Sequence, residues 1–89
     1  MNTIGDWSVM LSVSARDDST EADARLPMGG ATDLTGHGTA RRNPADPNVT
    51  KIGEELAVAR ALSDLAHRLL RVATSDVETV THGRAHLHM

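Results

Sequence analysis

Between Trp7 and Ala15 the chain alternates apolar and polar side chains. Trp7, Val9, Leu11 and Val13 fall on one side; Ser8, Met10, Ser12 and Ser14 fall on the other. Successive side chains of a strand point to opposite faces, so this period of two predicts a half-buried strand. Arg16-Asp17-Asp18-Ser19 follows as a polar turn. Ala22, Ala24 and Leu26 then alternate with Glu21, Asp23 and Arg25, giving a second strand with a solvated charged face. Pro27 ends it, since proline lacks the N–H that a central ladder needs. Met28-Gly29-Gly30 supplies a reversal. A third strand is expected from Thr32 to Arg41. Its Gly36 and Gly38 share a face with Leu34 and Ala40, so something packs closely there, and the long helix is the natural candidate.

The pattern changes after Asn43-Pro44-Ala45-Asp46-Pro47-Asn48, a turn-rich connection. From Ile52 to Ala73 there is no proline, and at 100° per residue the side chains sort into two faces. Ile52, Leu56, Val58, Ala59, Leu62, Leu65, Ala66, Leu69, Leu70, Val72 and Ala73 gather on one. Arg60, Asp64, His67, Arg68 and Arg71 gather on the other. The apolar arc spans roughly 200°, wider than the ~100° stripe that one sheet needs. The surplus predicts a second packing partner, either the C-terminal segment or another copy of the chain. Arg60, Asp64 and Arg68 stand at successive i,i+4 spacings on the solvated face. Glu54 and Glu55 are expected in the first turn, where the helix dipole favours anions. Ser75-Asp76-Val77-Glu78 reads as a capping box opening a second, short helix. Gly83 is expected to end order, leaving 1–5 and 83–89 as flexible tails of a single domain over 1–89.

The expected architecture is therefore α+β: a three-stranded antiparallel sheet, a long helix and a short C-terminal helix. Composition adds one point to this. With Trp7 as the only aromatic and no cysteine, the core must be made of Leu, Val, Ile, Met and many Ala. An 89-residue chain buries only about 60–65% of its unfolded surface, so such a core barely offsets chain entropy. Without a disulfide or thiolate metal site, a partner is the remaining source of stability.

The net charge of −3 is not that of a DNA binder, and no DNA is expected as partner. No run of 18 apolar residues suggests a membrane span, and residues 1–9 show neither the basic nor the apolar region of a signal peptide. A cytoplasmic location is expected.

Two segments carry a resemblance. Gly38-Thr39-Ala40-Arg41-Arg42-Asn43-Pro44-Ala45-Asp46-Pro47 is one; Ile52 to Ala66, with its Ala59-Arg60-Ala61-Leu62-Ser63-Asp64-Leu65, is the other. With Trp7-Ser8-Val9 and Ala24-Arg25-Leu26 upstream, they resemble a family of small actinobacterial proteins with a dsRBD-like fold, of β-β-β-α-α order. The resemblance extends more loosely to ribosome hibernation factors. It implies a homodimer and a regulatory or stress-related role on the ribosome. Fold similarity alone does not carry function.

The chemistry-bearing residues narrow the expectations further. An RNA-binding module would use Arg41 and Arg42 with the helix arginines Arg60, Arg68 and Arg71. Against the usual double-stranded RNA mode, Glu54 and Glu55 stand where a phosphate would approach the helix. His82, His86 and His88 are close in sequence, yet no carboxylate or cysteine completes a metal site beside them. His37 and His67 have no nucleophile at readable spacing, and Gly36-x-Gly38 lacks the rest of a dinucleotide loop. No catalytic residue, metal or cofactor is expected. The functions left are a dimeric regulatory factor on the ribosome, an RNA-binding module, or a protein–protein adaptor.

Overall fold

The computed structural model describes residues 5–30, 32–43, 45 and 49–88, the last seven as backbone alone. Three strands, β1 (Met10–Arg16), β2 (Ser19–Leu26) and β3 (Leu34–Arg41), precede one helix, α1 (Thr50–His88). The strands form an antiparallel meander with β2 in the centre. Leu11 pairs with Ala24 and Val13 with Ala22; Ala22 pairs with Gly38 and Ala24 with Gly36. The first turn carries Asp17 in the left-handed region, at φ 52°, a conformation aspartate tolerates better than most residues. Gly29 and Gly30 adopt positive φ in the expected reversal.

Register fixes which side chains meet the helix. Thr20, Ala22, Ala24 and Leu26 of β2 are buried, as are Gly36, Gly38 and Ala40 of β3. Facing them, Gly53, Ala57, Ala61 and Leu65 recur every four residues along α1, a single line on a helix. A Cβ on Gly38 would collide with the Ala57 carbonyl and the Ala61 amide; one on Gly36 would meet the Ala61 carbonyl and the Leu65 amide. The close approach expected at these two glycines is that of the helix backbone. The core consists of Ala22, Ala24, Leu26, Ala40, Ala57, Ala61 and Leu65, with Met28, Leu34, Val58 and Leu69 packed around it. Among the described residues Leu26 and Leu65 are the large side chains of this core.

Four expectations need correction. The first strand is Met10–Arg16, and it is exposed on both faces, not half-buried. Its Leu11 and Val13 lie on the helix side, yet remain 42% and 40% exposed. The reason is that α1 settles over β2 and β3, where the backbone is bare. Second, no separate short helix follows: α1 runs unbroken through Ser75, whose carbonyl accepts a 2.9 Å bond from Thr79 Oγ1. The capping-box residues are interior, because no proline or glycine interrupts the chain there. Third, helical backbone continues through Gly83 to His88; of the expected N-terminal tail 1–5, residues 1–4 lie outside the described residues and Gly5 is exposed. Fourth, α1 begins at Thr50, so Glu54 and Glu55 stand beyond the first turn, which holds no acidic residue.

At 1.5 Å per residue, the 39 residues of α1 are about 58 Å long, whereas eight-residue strands reach about 27 Å. The helix overhangs the sheet. Val72 is its last half-buried side chain, and residues 73–81 are exposed.

Candidate interaction surfaces

The outer edge of β3 is closed by α1. The His37 backbone N–H donates to Asp64 Oδ2 at 2.8 Å, and Arg60 Nη1 donates to the Thr39 carbonyl at 2.7 Å. Arg68 Nε holds the same Asp64 oxygen at 3.2 Å. The His37 amide, and after it the Arg68 guanidinium, hold the Asp64 carboxyl below its ordinary range. The i,i+4 row read as a solvated face therefore satisfies edge groups that would otherwise template another strand. His67 Nδ1 lies 2.8 Å from the Ser63 carbonyl.

The face of the sheet away from α1 is polar. His37 Nδ1 is 2.8 Å from Asp23 Oδ1, its cross-strand neighbour, and Nε2 is 3.2 Å from Thr39 Oγ1 and 3.8 Å from Glu21. The Asp23 hydrogen bond raises the imidazole pKa above 6.5, with the charges of Asp23, Glu21 and Asp64 acting the same way. Nothing in the spacing revealed this cluster. All four residues have odd numbers on polar faces, but their meeting depends on the β2–β3 register.

The expected arginines do not form one patch. Arg41 lies on the open face, in register with Ser19 and, through it, Arg16. Arg42 turns instead to Asp18, with a 2.6 Å ion pair and a 2.8 Å backbone bond tying the end of β3 to the first turn. Arg16, Asp17, Asp18, Ser19, Arg41 and Arg42 line an open depression of about 380 Å³. Arg60 and Arg68 serve the β3 edge, and Arg71 adds to the field at Asp64.

A recess of about 350 Å³ lies at the start of α1, walled by Ala15, Ala40, Val49, Ile52 and Leu56. Asp17, Asp18, Thr20 and Thr50 also line it. Among the described residues no group of three histidine, cysteine or carboxylate side chains is placed to hold a metal ion. The side chains of His82, His86 and His88 lie outside the described residues. No described helix is long and apolar enough to cross a membrane.

The most extensive feature is apolar. Trp7, Val9, Leu11 and Val13 are exposed along β1 and its approach, and Ile52, Leu56, Leu62, Leu70, Val77 and Val80 are exposed along α1. Apart from Leu26 and Leu65, the buried core is alanine. Most large apolar side chains are thus outside the interior they would be expected to fill.

The Rv2632c-like family model matches residues 5–86. The chain is 52% identical over 81 residues to the uncharacterized protein Mb1767 of Mycobacterium bovis, covering 91% of this chain and 85% of that one. It is 49% identical over 70 residues to the uncharacterized protein Rv2632c of Mycobacterium tuberculosis, covering 79% and 74%. The crystal structure of Rv2632c superposes with a TM-score of 0.84 at 42% identity, over 91% of this chain and 95% of that one.

Proposed function

From a chain that belongs to the Rv2632c-like family, we propose a non-enzymatic homodimer that regulates by occupying a partner, and that this partner is the ribosome. The carrying observation is the position of the large apolar side chains outside an alanine core. A chain so built gains its missing burial from another surface. The β-β-β-α order supports reading the domain as dsRBD-like. The looser likeness in fold to hibernation factors, which the family resemblance of the Asn43–Pro47 and Ala59–Leu65 segments implies, supports the ribosome as partner, and with it a cytoplasmic location. Sedimentation at tens of micromolar tests the dimer: the expected mass is twice the 9.5 kDa of one chain. A monomer refutes it.

A second reading, direct RNA binding, is favoured by one observation. The acidic pair Glu54 and Glu55 lies past the first turn of α1, and Arg16 and Arg41 flank Ser19 across the open face. Ribosome co-sedimentation at low salt tests both readings. Arg16→Glu with Arg41→Glu abolishes it if RNA phosphates are the contact. Retention by this variant assigns the contact to protein. Arg42 is unsuited to the test, because it holds Asp18 within the fold.

A further inference from the structure

The helix carries a second, exposed apolar line beside the one that packs on its sheet. Gly53, Ala57, Ala61 and Leu65 face the sheet. Leu62, Ala66 and Leu70 also recur every four residues, and Ala73 and Val77 continue the line. Ala66 is five residues on from Ala61, about 140° round the helix at 100° per residue. Leu70 and Val77 are each 63% exposed. Between Leu56 and Thr74 every charged side chain, Arg60, Asp64, Arg68 and Arg71, falls in the remaining sector, towards β3.

The other side of α1 overlooks β1. There Val9, Leu11 and Val13 form a part-exposed floor, and Val58 and Leu62 lie on the flank of α1 opposite Arg60 and Asp64. From Val9 to Ala15 the floor is about 20 Å long at ~3.3 Å per residue. From Leu62 to Ala73 the outer line of the helix is about 17 Å at 1.5 Å per residue. The two apolar surfaces match in length, and both lack charge.

We infer that two copies pack with their helices inside, the Leu62–Ala73 line of each α1 lying in the β1 trough of the other. The inference rests on the self-association proposed above and assigns its geometry. A two-fold axis makes the contact self-complementary, since each chain offers one trough and one helix. Val9, Leu11 and Val13 of the floor and Leu62 and Leu70 of the outer line are the exposed large apolar side chains that the contact covers, with Trp7 and Val77 at its ends. The β3 edge is already occupied by Asp64 and Arg60.

The chain has no cysteine, so single substitutions report contacts cleanly. Val13→Cys and Ala66→Cys chains are co-expressed, oxidised and separated without reductant. The expected product is a disulfide between the two different chains, identified by mass. Disulfide formation of Val13→Cys with itself and not with Ala66→Cys overturns the inference in favour of edge pairing. A dimer that forms neither link overturns it too. In the intact chain, Leu62→Asp with Leu70→Asp raises the dimer dissociation constant by at least ~100-fold, because carboxylates are placed in an apolar contact. Circular dichroism of the variant shows that the exposed positions leave the fold intact. A wild-type monomer would instead remove the proposed function itself.

Discussion

Gly38→Ala adds one methyl group where the helix and sheet backbones touch. The new carbon would lie within 2.8 Å of the Arg60 carbonyl carbon, and closer to the Ala57 carbonyl and Ala61 amide. Ordinary carbon contacts are about 3.5–4.0 Å, so α1 must lift by on the order of 1 Å. None of these atoms belongs to a side chain that can swing away. The lift is felt along the whole line, because Ala22, Ala24, Ala57, Ala61 and Leu65 share the contact.

Overpacking of this kind costs about 1–3 kcal/mol, and backbone against backbone belongs at the upper end. Replacing glycine returns about 0.4–1 kcal/mol by restricting the unfolded chain, leaving a net loss of about 2 kcal/mol. Marginal stability of about 0.05–0.15 kcal/mol per residue gives a chain of this length roughly 4–13 kcal/mol, so the loss is a large fraction. Urea unfolding followed by helical circular dichroism measures it as a lower midpoint. Gly5→Ala is the control, since a Cβ there meets nothing within 4 Å, and its effect stays within about 0.5 kcal/mol. A Gly38→Ala protein as stable as Gly5→Ala would refute the account of how α1 sits on the sheet.

Leu65→Ala removes one of the two large side chains of the buried core and costs about 2–5 kcal/mol in the same urea assay. Protonated His37 is favoured by Asp23 in the folded chain, so its contribution is full below pH 6.5 and is lost as pH rises through the higher folded pKa; His37→Gln flattens that part of the stability profile. Asp64 behaves oppositely: its contribution is full above pH 3.8 and is lost as pH falls through the lower folded value, a fall that Asp64→Asn removes. Ser75→Pro breaks a continuous helix and lowers ellipticity at 222 nm, leaving the core of residues 22–65 in place. An unchanged spectrum would mean that helix does not pass through Ser75.

The strands were legible because alternation is a local property. Ala22, Ala24 and Leu26 announced the buried face of β2, and the two even-numbered glycines announced the helix crossing. The same alternation misplaced β1, because period two says that one face differs from the other and not that anything covers it. Leu11 and Val13 point to the helix side and still meet water. The wheel grouped Arg60, Asp64 and Arg68 correctly but called them solvated, since only the tertiary register brings the His37 amide and the Thr39 carbonyl to them. The His37–Asp23 contact was hidden for the same reason. The capping box at Ser75 misled because a cap requires a helix to begin there, and no residue between Ala73 and Ser75 ends the preceding one.

The glycines and the exposed leucines are two sides of one packing choice. Gly36, Gly38, Ala57 and Ala61 bring α1 so close to β2 and β3 that, among the described residues, Leu26 and Leu65 are the large side chains buried beneath it. Backbone contact then substitutes for side-chain volume, and the apolar volume a larger interior would hold is displaced to β1 and the outer helix. If that displacement were incidental, polar side chains would be free to intersperse along Leu62, Ala66, Leu70 and Ala73, positions exposed on the flank of α1 away from β3. They are apolar without exception, while charges at the same depth of the helix are confined to the β3 side, where Asp64 and Arg60 bond the strand edge. A surface sorted so sharply is sorted by what packs on it, and the trough over β1 matches it in length and character.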